Sequence, residues 1–366
     1  MKPPSRWPSP AKPFGARLLV AMRLVVPAGL IGLLLRSVDL AEIGRLLLAL
    51  DPLWFLTAVG IMAADRALMI GKWYPLLVAQ VPGVSLGAAV RAYLATSFMS
   101  IVLPASVGSD LFRALALGHG SGKVVEVAAS IVVERLLGFF ATGVVCLSAL
   151  LVAMRAGVSV DFLLPWALTA VVVALAALVL PLVFGARIGT DEAVAGPRSK
   201  AEPTTTAAGP PRGLRARVVR LVRRFADAHA RYRRRPLLIA VVAGLSVVEQ
   251  TFPIMVLWCL ARGLGTSITP EMLWVAVPLT LFVSRLPIAI WSLGVVEVSL
   301  VYLLGLFGVP ATQALAVALG GRAVEMVGLL PGAFFLRDLT TTVRAGNSAV
   351  SRENASPQRP GPTPSA

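Results

Sequence analysis

Arg91 to Gly118 reads R-A-Y-L-A-T-S-F-M-S-I-V-L-P-A-S-V-G-S-D-L-F-R-A-L-A-L-G. Its two apolar arms flank Pro104, Ser106, Gly108, Ser109 and Asp110. A bilayer span needs about 20 apolar residues in a row, and neither arm reaches that length. The stretch therefore predicts a re-entrant hairpin, its turn inside the membrane. Proline removes a backbone donor and glycine relaxes the chain, so such a tip carries unpaired backbone groups, tolerated at membrane depth only beside protein or water. A tip of this kind can bind a polar group.

The same plan recurs from Met272 to Gly308, where Leu286, Pro287, Trp291, Ser292, Gly294 and Glu297 lie between apolar arms. Each hairpin is followed by a long apolar helix with an internal acid and arginine. These are Glu134 and Arg135 after the first, Arg322 and Glu325 after the second. The shared order predicts an internal repeat.

Composition sets the class. The chain has 366 residues, 57% of them hydrophobic and 14% charged, with a mean hydropathy of +0.81. That is too little polar surface for a soluble globule. The net charge of +16 lies in segments between apolar runs, as the positive-inside rule requires of cytoplasmic loops, and does not point to nucleic acid. Cys146 and Cys259 sit in apolar runs without paired spacing, so neither a disulfide framework nor a metal site is indicated. No cofactor is expected.

In chain order, residues 1–17 form a basic, proline-rich cytoplasmic lead. The first membrane half, 18–184, holds spans at Leu18–Leu35, Leu53–Ile70, Val124–Met154 and Phe162–Phe184, with the hairpin at 91–118. An outer loop with Asp39, Glu42, Arg45 and Asp51 joins the first two spans, and Lys72 marks the return to the cytoplasm. Residues 185–236 hold thirteen Lys or Arg against four Asp or Glu, which places this loop inside. Gly196–Pro211 reads as a disordered linker. Leu214, Val218, Leu221, Phe225 and Tyr232 then recur at helical spacing among arginines, predicting either a basic amphipathic helix on anionic lipid or a solvated helix that sets topology. The second half, 237–336, has spans at Leu237–Leu260 and Ala311–Leu336 around the hairpin 272–308. Residues 337–366 form a disordered cytoplasmic tail.

The expected fold is an all-α polytopic membrane protein with six full spans and two re-entrant hairpins, eight hydrophobic helical units in all. The first hairpin enters from inside and the second from outside, an inverted-topology repeat of the kind transporters use for alternating access. Charged residues within spans are costly and mark pathways or pairs. Here the acids Asp65, Asp110, Glu134, Glu249, Glu297 and Glu325 balance the bases Arg66, Arg91, Arg113, Arg135, Arg285 and Arg322. Arginine presents a fork of donors that suits phosphate, and a carboxylate can hold that fork until a substrate replaces it. Arg135 and Arg322 are the expected phosphate ligands, with Glu134, Glu325, Asp110, Arg113, Arg285, Glu297, Asp65 and Arg66 around them. Interhelical ion pairing that only fixes packing is the competing reading.

Enzyme signatures are thin. His119 and His229 fall in cytoplasmic segments, and Gly118–Lys123 lacks the first glycine and the Ser/Thr of a phosphate loop. One alternative is a polyprenyl-phosphate-dependent glycosyltransferase using Asp39, Glu42 or Asp51 as base or metal ligand. Another is a non-transporting scaffold for lipid-synthesis enzymes.

These residues resemble the flippase-like membrane domain of the lysylphosphatidylglycerol synthases, over Leu18 to Leu336. The family's first hairpin, Leu-Pro-Gly-Ser-Ile-Gly-Gly-Asp with Arg three later, stands here as Leu103-Pro104-Ala105-Ser106-Val107-Gly108-Ser109-Asp110 with Arg113; Glu134-Arg135 and Gly138 follow. The second, Pro-Ile-Ser-Ile-Gly-Gly-Leu-Gly-Val-Arg-Glu, stands as Pro287 to Glu297. Trp291 and Ser292 replace the glycine pair, Ala289 the serine and Val296 the arginine. The resemblance implies movement of a phosphate-containing lipid or polyprenyl-phosphate conjugate across a bacterial inner membrane, with anionic headgroups as ligands. It also implies a stand-alone member without the soluble synthase domain, and not an enzyme.

With both termini and residues 185–236 expected in the cytoplasm, cysteines placed at Ser199 or Ser351 stay unlabelled by an impermeant thiol reagent added to intact cells. Labelling of either from outside would reverse the orientation.

Overall fold

The computed structural model describes residues 38–101, 106–118, 122–158, 230–284 and 293–336, with a few isolated residues outside these ranges. Ten helices carry the fold among them: α1 Leu40–Leu48, α2 Pro52–Gln80, α3 Leu86–Met99, α4 Ser106–Gly118, α5 Val124–Arg155, α6 Pro236–Glu249, α7 Thr251–Gly263, α8 Pro270–Ser284, α9 Val295–Gly305 and α10 Ala311–Leu329. No strand occurs among the described residues. Pro52–Gln80, Val124–Arg155, Pro236–Gly263 and Ala311–Leu336 are long and apolar enough to cross a membrane. The chain is a helical, multi-pass membrane protein.

The short helices fall where the two hairpin arms are expected. α3 and α4, of 14 and 13 residues, pack against each other, as do α8 and α9, of 15 and 11 residues. Their connecting residues 102–105 and 285–292, which include Pro104, Arg285, Pro287, Trp291 and Ser292, lie outside the described residues. Ser106, Gly108 and Ser109 lie in the first turn of α4.

The helices form two compact units. One contains residues 1–58, 149–160 and 254–323, the other 59–148, 161–253 and 324–366. In the first, Trp54 and Trp258 meet edge to face with centroids 5.9 Å apart. Gly263 lets Leu50 and Trp54 lie against α7, and Gly320 and Gly321 bring α10 onto Leu260 and Leu257. Small residues at such crossings let backbones approach where hydrocarbon supplies no hydrophobic force. In the second unit the core is Trp73, Leu77, Val81, Ala89, Tyr93, Ala114, Val127 and Ile131. The Trp73 indole donates to Ser130 Oγ at 3.2 Å.

The structure corrects several expectations. The outer loop before the second span contains α1, whose first amides are capped by Asp39 at 2.8 and 3.2 Å. Asp51 likewise caps the start of α2, accepting from Leu53 N at 2.8 Å. Carboxylates at helix N-termini satisfy orphan amides, so these acids have structural work. The second span does not end at Ile70: α2 runs on to Gln80, and Lys72 is a buried mid-helix residue, 2% exposed. The residues after Lys72 stay apolar, and Glu249 neutralises its charge. The fifth span is two helices that meet at Gln250. Pro253 has no N–H for the Glu249 carbonyl, four residues back, which interrupts the ladder.

Tyr232 does not lie on lipid. It is buried against Leu76, Val133, Leu137 and Val242, and its hydroxyl donates to the Leu76 carbonyl at 2.8 Å. Burial, the largest influence on it, holds the phenol above its ordinary titration range, so it remains a donor. Arg231 reaches Gln80 Oε1 at 3.4 Å, and Gln80 donates to Ala228 O at 2.5 Å. This end of the basic loop is thus tied to the end of α2. Leu214, Val218 and Leu221, the linker, both terminal segments and most of the spans expected at Leu18–Leu35 and Phe162–Phe184 fall outside the described residues.

A Cβ at Gly332 would stand 2.1 Å from the Leu94 carbonyl oxygen on α3. Backbone cannot yield cheaply, so Gly332→Ala is expected to cost about 1–3 kcal/mol. Gly60, exposed in α2 with nothing within 4 Å, is the control: Gly60→Ala should be neutral or stabilising by up to about 1 kcal/mol. Thermal unfolding in detergent distinguishes the two.

Candidate functional site

α4 places Asp110 and Arg113 one turn apart, on one face, and α5 sets Glu134 and Arg135 opposite them. The Asp110 carboxylate binds the Arg135 fork with both oxygens, Oδ2 from Nε at 3.0 Å and Oδ1 from Nη2 at 2.9 Å. Oδ1 also accepts from Arg113 Nη2 at 3.0 Å. Arg113 Nη2 lies 3.4 Å from Glu134 Oε2. One carboxylate thus bridges two arginines.

Their surroundings differ. Arg113 is 3% exposed and stands 4.5 Å from the Trp73 ring and 4.9 Å from the Tyr93 ring. Aromatic faces attract a guanidinium through their quadrupole, so this arginine is walled in. Arg135 keeps 40% of its side chain exposed. Asp110, rather than the adjacent Glu134, holds the Arg135 fork, and Glu134 faces Arg113.

The other unit repeats the carboxylate–arginine motif. Gly294 has a positive φ of 77° and caps α9, its amide donating to Glu297 Oε2 at 2.7 Å. Glu297 Oε1 accepts from Arg322 Nε at 3.1 Å and Nη2 at 2.7 Å. The carboxylate holding the Arg322 fork is Glu297. Glu325 sits one turn further along α10. In both units an acid on the second short helix binds an arginine 25 residues later, on the next long helix. That spacing is visible in the chain, yet adjacency draws the eye to Glu134 and Glu325 instead.

A further ionic group lies on α2 and α6. Lys72 pairs with Glu249 and donates to Ser246 Oγ at 3.1 Å. Asp65, two turns before Lys72, is 8% exposed and feels the charges of Arg66, Glu249 and Lys72. Among the described residues no hydrogen bond or ion pair reaches its carboxyl. Arg66 turns to Met69 Sδ at 3.6 Å and leaves its Nε without a partner. Lys72 is the site residue that sequence reasoning passes over, because a lysine after an apolar run ordinarily marks a membrane boundary. Trp73 and Tyr93 read simply as core.

Removing one member of a buried pair strands the other, typically at about 3–5 kcal/mol, whereas replacing both by apolar residues is often neutral. Lys72→Met is accordingly expected to destabilise by about 3–5 kcal/mol, and adding Glu249→Met to recover most of it. Chemical or thermal unfolding of the two single variants and the double variant measures the coupling.

Comparison with curated proteins finds no significant match, and neither does comparison with solved structures. The family model described as the lysylphosphatidylglycerol synthase TM region matches residues 16–332. That match takes in all ten helices apart from the last residues of the Ala311–Leu336 span, and with them both carboxylate–arginine motifs. The chain belongs to the family of the lysylphosphatidylglycerol synthase transmembrane region.

Proposed function

We propose that this protein moves a lipid with a phosphate-bearing headgroup between the leaflets of a bacterial inner membrane. The observation that carries the reading is the recurrence of one device, a carboxylate holding an arginine fork 25 residues later, on both short-helix pairs. A phosphate offers the same paired acceptors as a carboxylate, so it can exchange with Asp110 at Arg135 or with Glu297 at Arg322. Each fork suits a phosphate group at its own helix pair, and inverted repeats with re-entrant hairpins are a fold that transporters use for alternating access. The ligands are membrane lipids with anionic headgroups, and the termini face the cytoplasm. The scaffold alternative requires no exchange at either fork. The glycosyltransferase reading is weaker, since Asp39 and Asp51 are engaged as helix caps.

Lysine keeps the charge at these positions but not the fork. Arg135→Lys and Arg322→Lys proteins are expected to fold and to move a fluorescent anionic phospholipid in proteoliposomes at least about tenfold more slowly, since a hydrogen bond to a charged group contributes about 1.5–3 kcal/mol. Unchanged rates in both well-folded variants would return these residues to a packing role.

A further inference from the structure

A groove of about 730 Å³ lies in the second unit, between the last turns of α2 and the start of α6. Its walls are apolar: Pro75 and Val78 on α2, and Leu237, Leu238 and Val241 on α6. Leu237 is 75% and Val241 50% exposed, and four residues apart they share one face of the helix. Since α6 opens the apolar span Pro236–Gly263, that face belongs against hydrocarbon. One end of the groove is of the opposite character. Arg234 and Arg235, which immediately precede α6, line it there. Both are exposed, and among the described residues no carboxylate pairs with either. The turn that carries them is fixed in place. Arg231–Arg234 form a 3-10 turn, closed as Arg235 N donates to the Tyr232 carbonyl at 2.8 Å. The Tyr232 hydroxyl donates to the Leu76 carbonyl, and Arg231 reaches Gln80. Tyr74, also on the wall, is held by its hydroxyl donating to the Val84 carbonyl at 3.0 Å.

We propose that this groove holds one anionic phospholipid, its phosphate on Arg234 and Arg235 and an acyl chain along Leu237, Leu238 and Val241. A lipid is charged at one end and hydrocarbon at the other, and the groove is polarised in the same sense, along the direction in which α6 enters the bilayer. Basic pockets between transmembrane helices recognise anionic headgroups in this way, and the arginine fork suits a phosphate. A zwitterionic headgroup would bring a further cation to two arginines that lack a counter-charge. The occupant is a resident lipid and not cargo: none of the lining residues belongs to either carboxylate–arginine fork. The inference needs only a membrane around the chain and stands whether or not the forks move lipid. A lipid bound here bridges α2 and α6, and because it binds the folded chain it stabilises that chain by mass action.

Native mass spectrometry of the full chain in detergent, titrated with a phosphatidylglycerol or with a phosphatidylcholine of the same acyl chains, tests it. The first lipid bound should be phosphatidylglycerol, preferred by about tenfold. Arg234→Gln combined with Arg235→Gln should remove the preference and weaken phosphatidylglycerol binding by about tenfold. Arg224→Gln combined with Arg233→Gln takes the same charge from exposed positions that do not line the groove, and should change binding by about twofold or less. Val241→Trp fills the groove at unchanged charge and should weaken binding as much as the first pair does. Thermal unfolding without lipid checks that each variant folds; added phosphatidylglycerol should then raise the midpoint of the unmodified protein and not that of the Arg234→Gln, Arg235→Gln protein. Equal binding of the two lipids would mean ordinary boundary lipid, and equal loss in the control pair would mean diffuse attraction to a basic surface. Binding indifferent to Val241→Trp would place the headgroup outside the groove, and no binding by the unmodified protein would mean the groove is otherwise filled, as by another segment of this chain. Each of these four results overturns the site. Lipid movement is read in neither measurement, so the translocation reading stands or falls separately.

Discussion

Charge placed among apolar helices must be cancelled within a few ångströms, and the second unit is arranged around that constraint. Asp110, Glu134 and Glu249 are met by Arg113, Arg135 and Lys72. Left isolated, six such groups would cost roughly 15 to 21 kcal/mol at about 2.5–3.5 each. A folded domain has only about 5–15 kcal/mol of net stability. Pairing is therefore a condition of the fold, and it fixes which faces of α2, α4, α5 and α6 meet. Trp73 shows how far the polar network organises the apolar one: its ring faces Arg113, and its N–H is satisfied by Ser130.

Within this constraint the arginines divide by exposure. Arg113 has two carboxylates and two aromatic walls, and any ligand reaching it would have to displace packed rings. Arg135 shares the same Asp110 but keeps 40% of its side chain accessible. Arg322, 11% exposed, stands between these extremes. Burial alone would rank Arg113 first as a site residue. On the translocation reading a ligand needs reach as well as charge, and of the three Arg135 has the most exposed side chain.

The outline of the fold is legible in the chain because bilayer thickness converts apolar length into helix type. The arms of 91–118 and 272–308 are short and become α3, α4, α8 and α9, while Val124–Arg155 and Ala311–Leu336 emerge with nearly the expected limits. Within the site, the members are legible and the partners are not. Acids and arginines stand out against apolar sequence, but which fork meets which carboxylate depends on helix rotation, and neighbours in sequence point around a helix in different directions. Lys72 misleads for a related reason. A lone cation at the end of an apolar run reads as a boundary, and its neutraliser, Glu249, lies 177 residues away. Pro253 hides in the same manner, since only the meeting of α6 and α7 at Gln250 shows that it interrupts a span.

An exchangeable lock must not be too strong, because a ligand shifts an equilibrium only by the difference in its affinity for the two states. If phosphate takes the fork of Arg135, Asp110 is not stranded: Arg113 still donates to its Oδ1. If phosphate takes the fork of Arg322, Glu297 keeps the Gly294 amide on its other oxygen. Each carboxylate has a second donor that remains when its arginine turns away. Without that donor, release would leave an uncompensated charge among apolar helices, at about 3–5 kcal/mol. A penalty of that size, added to the affinity needed from the headgroup, would hold the fork closed at ordinary lipid concentrations. The two units reach the same end by different chemistry, a second arginine in one and a helix cap in the other. On the translocation reading, what the two sites share is a carboxylate that can let go.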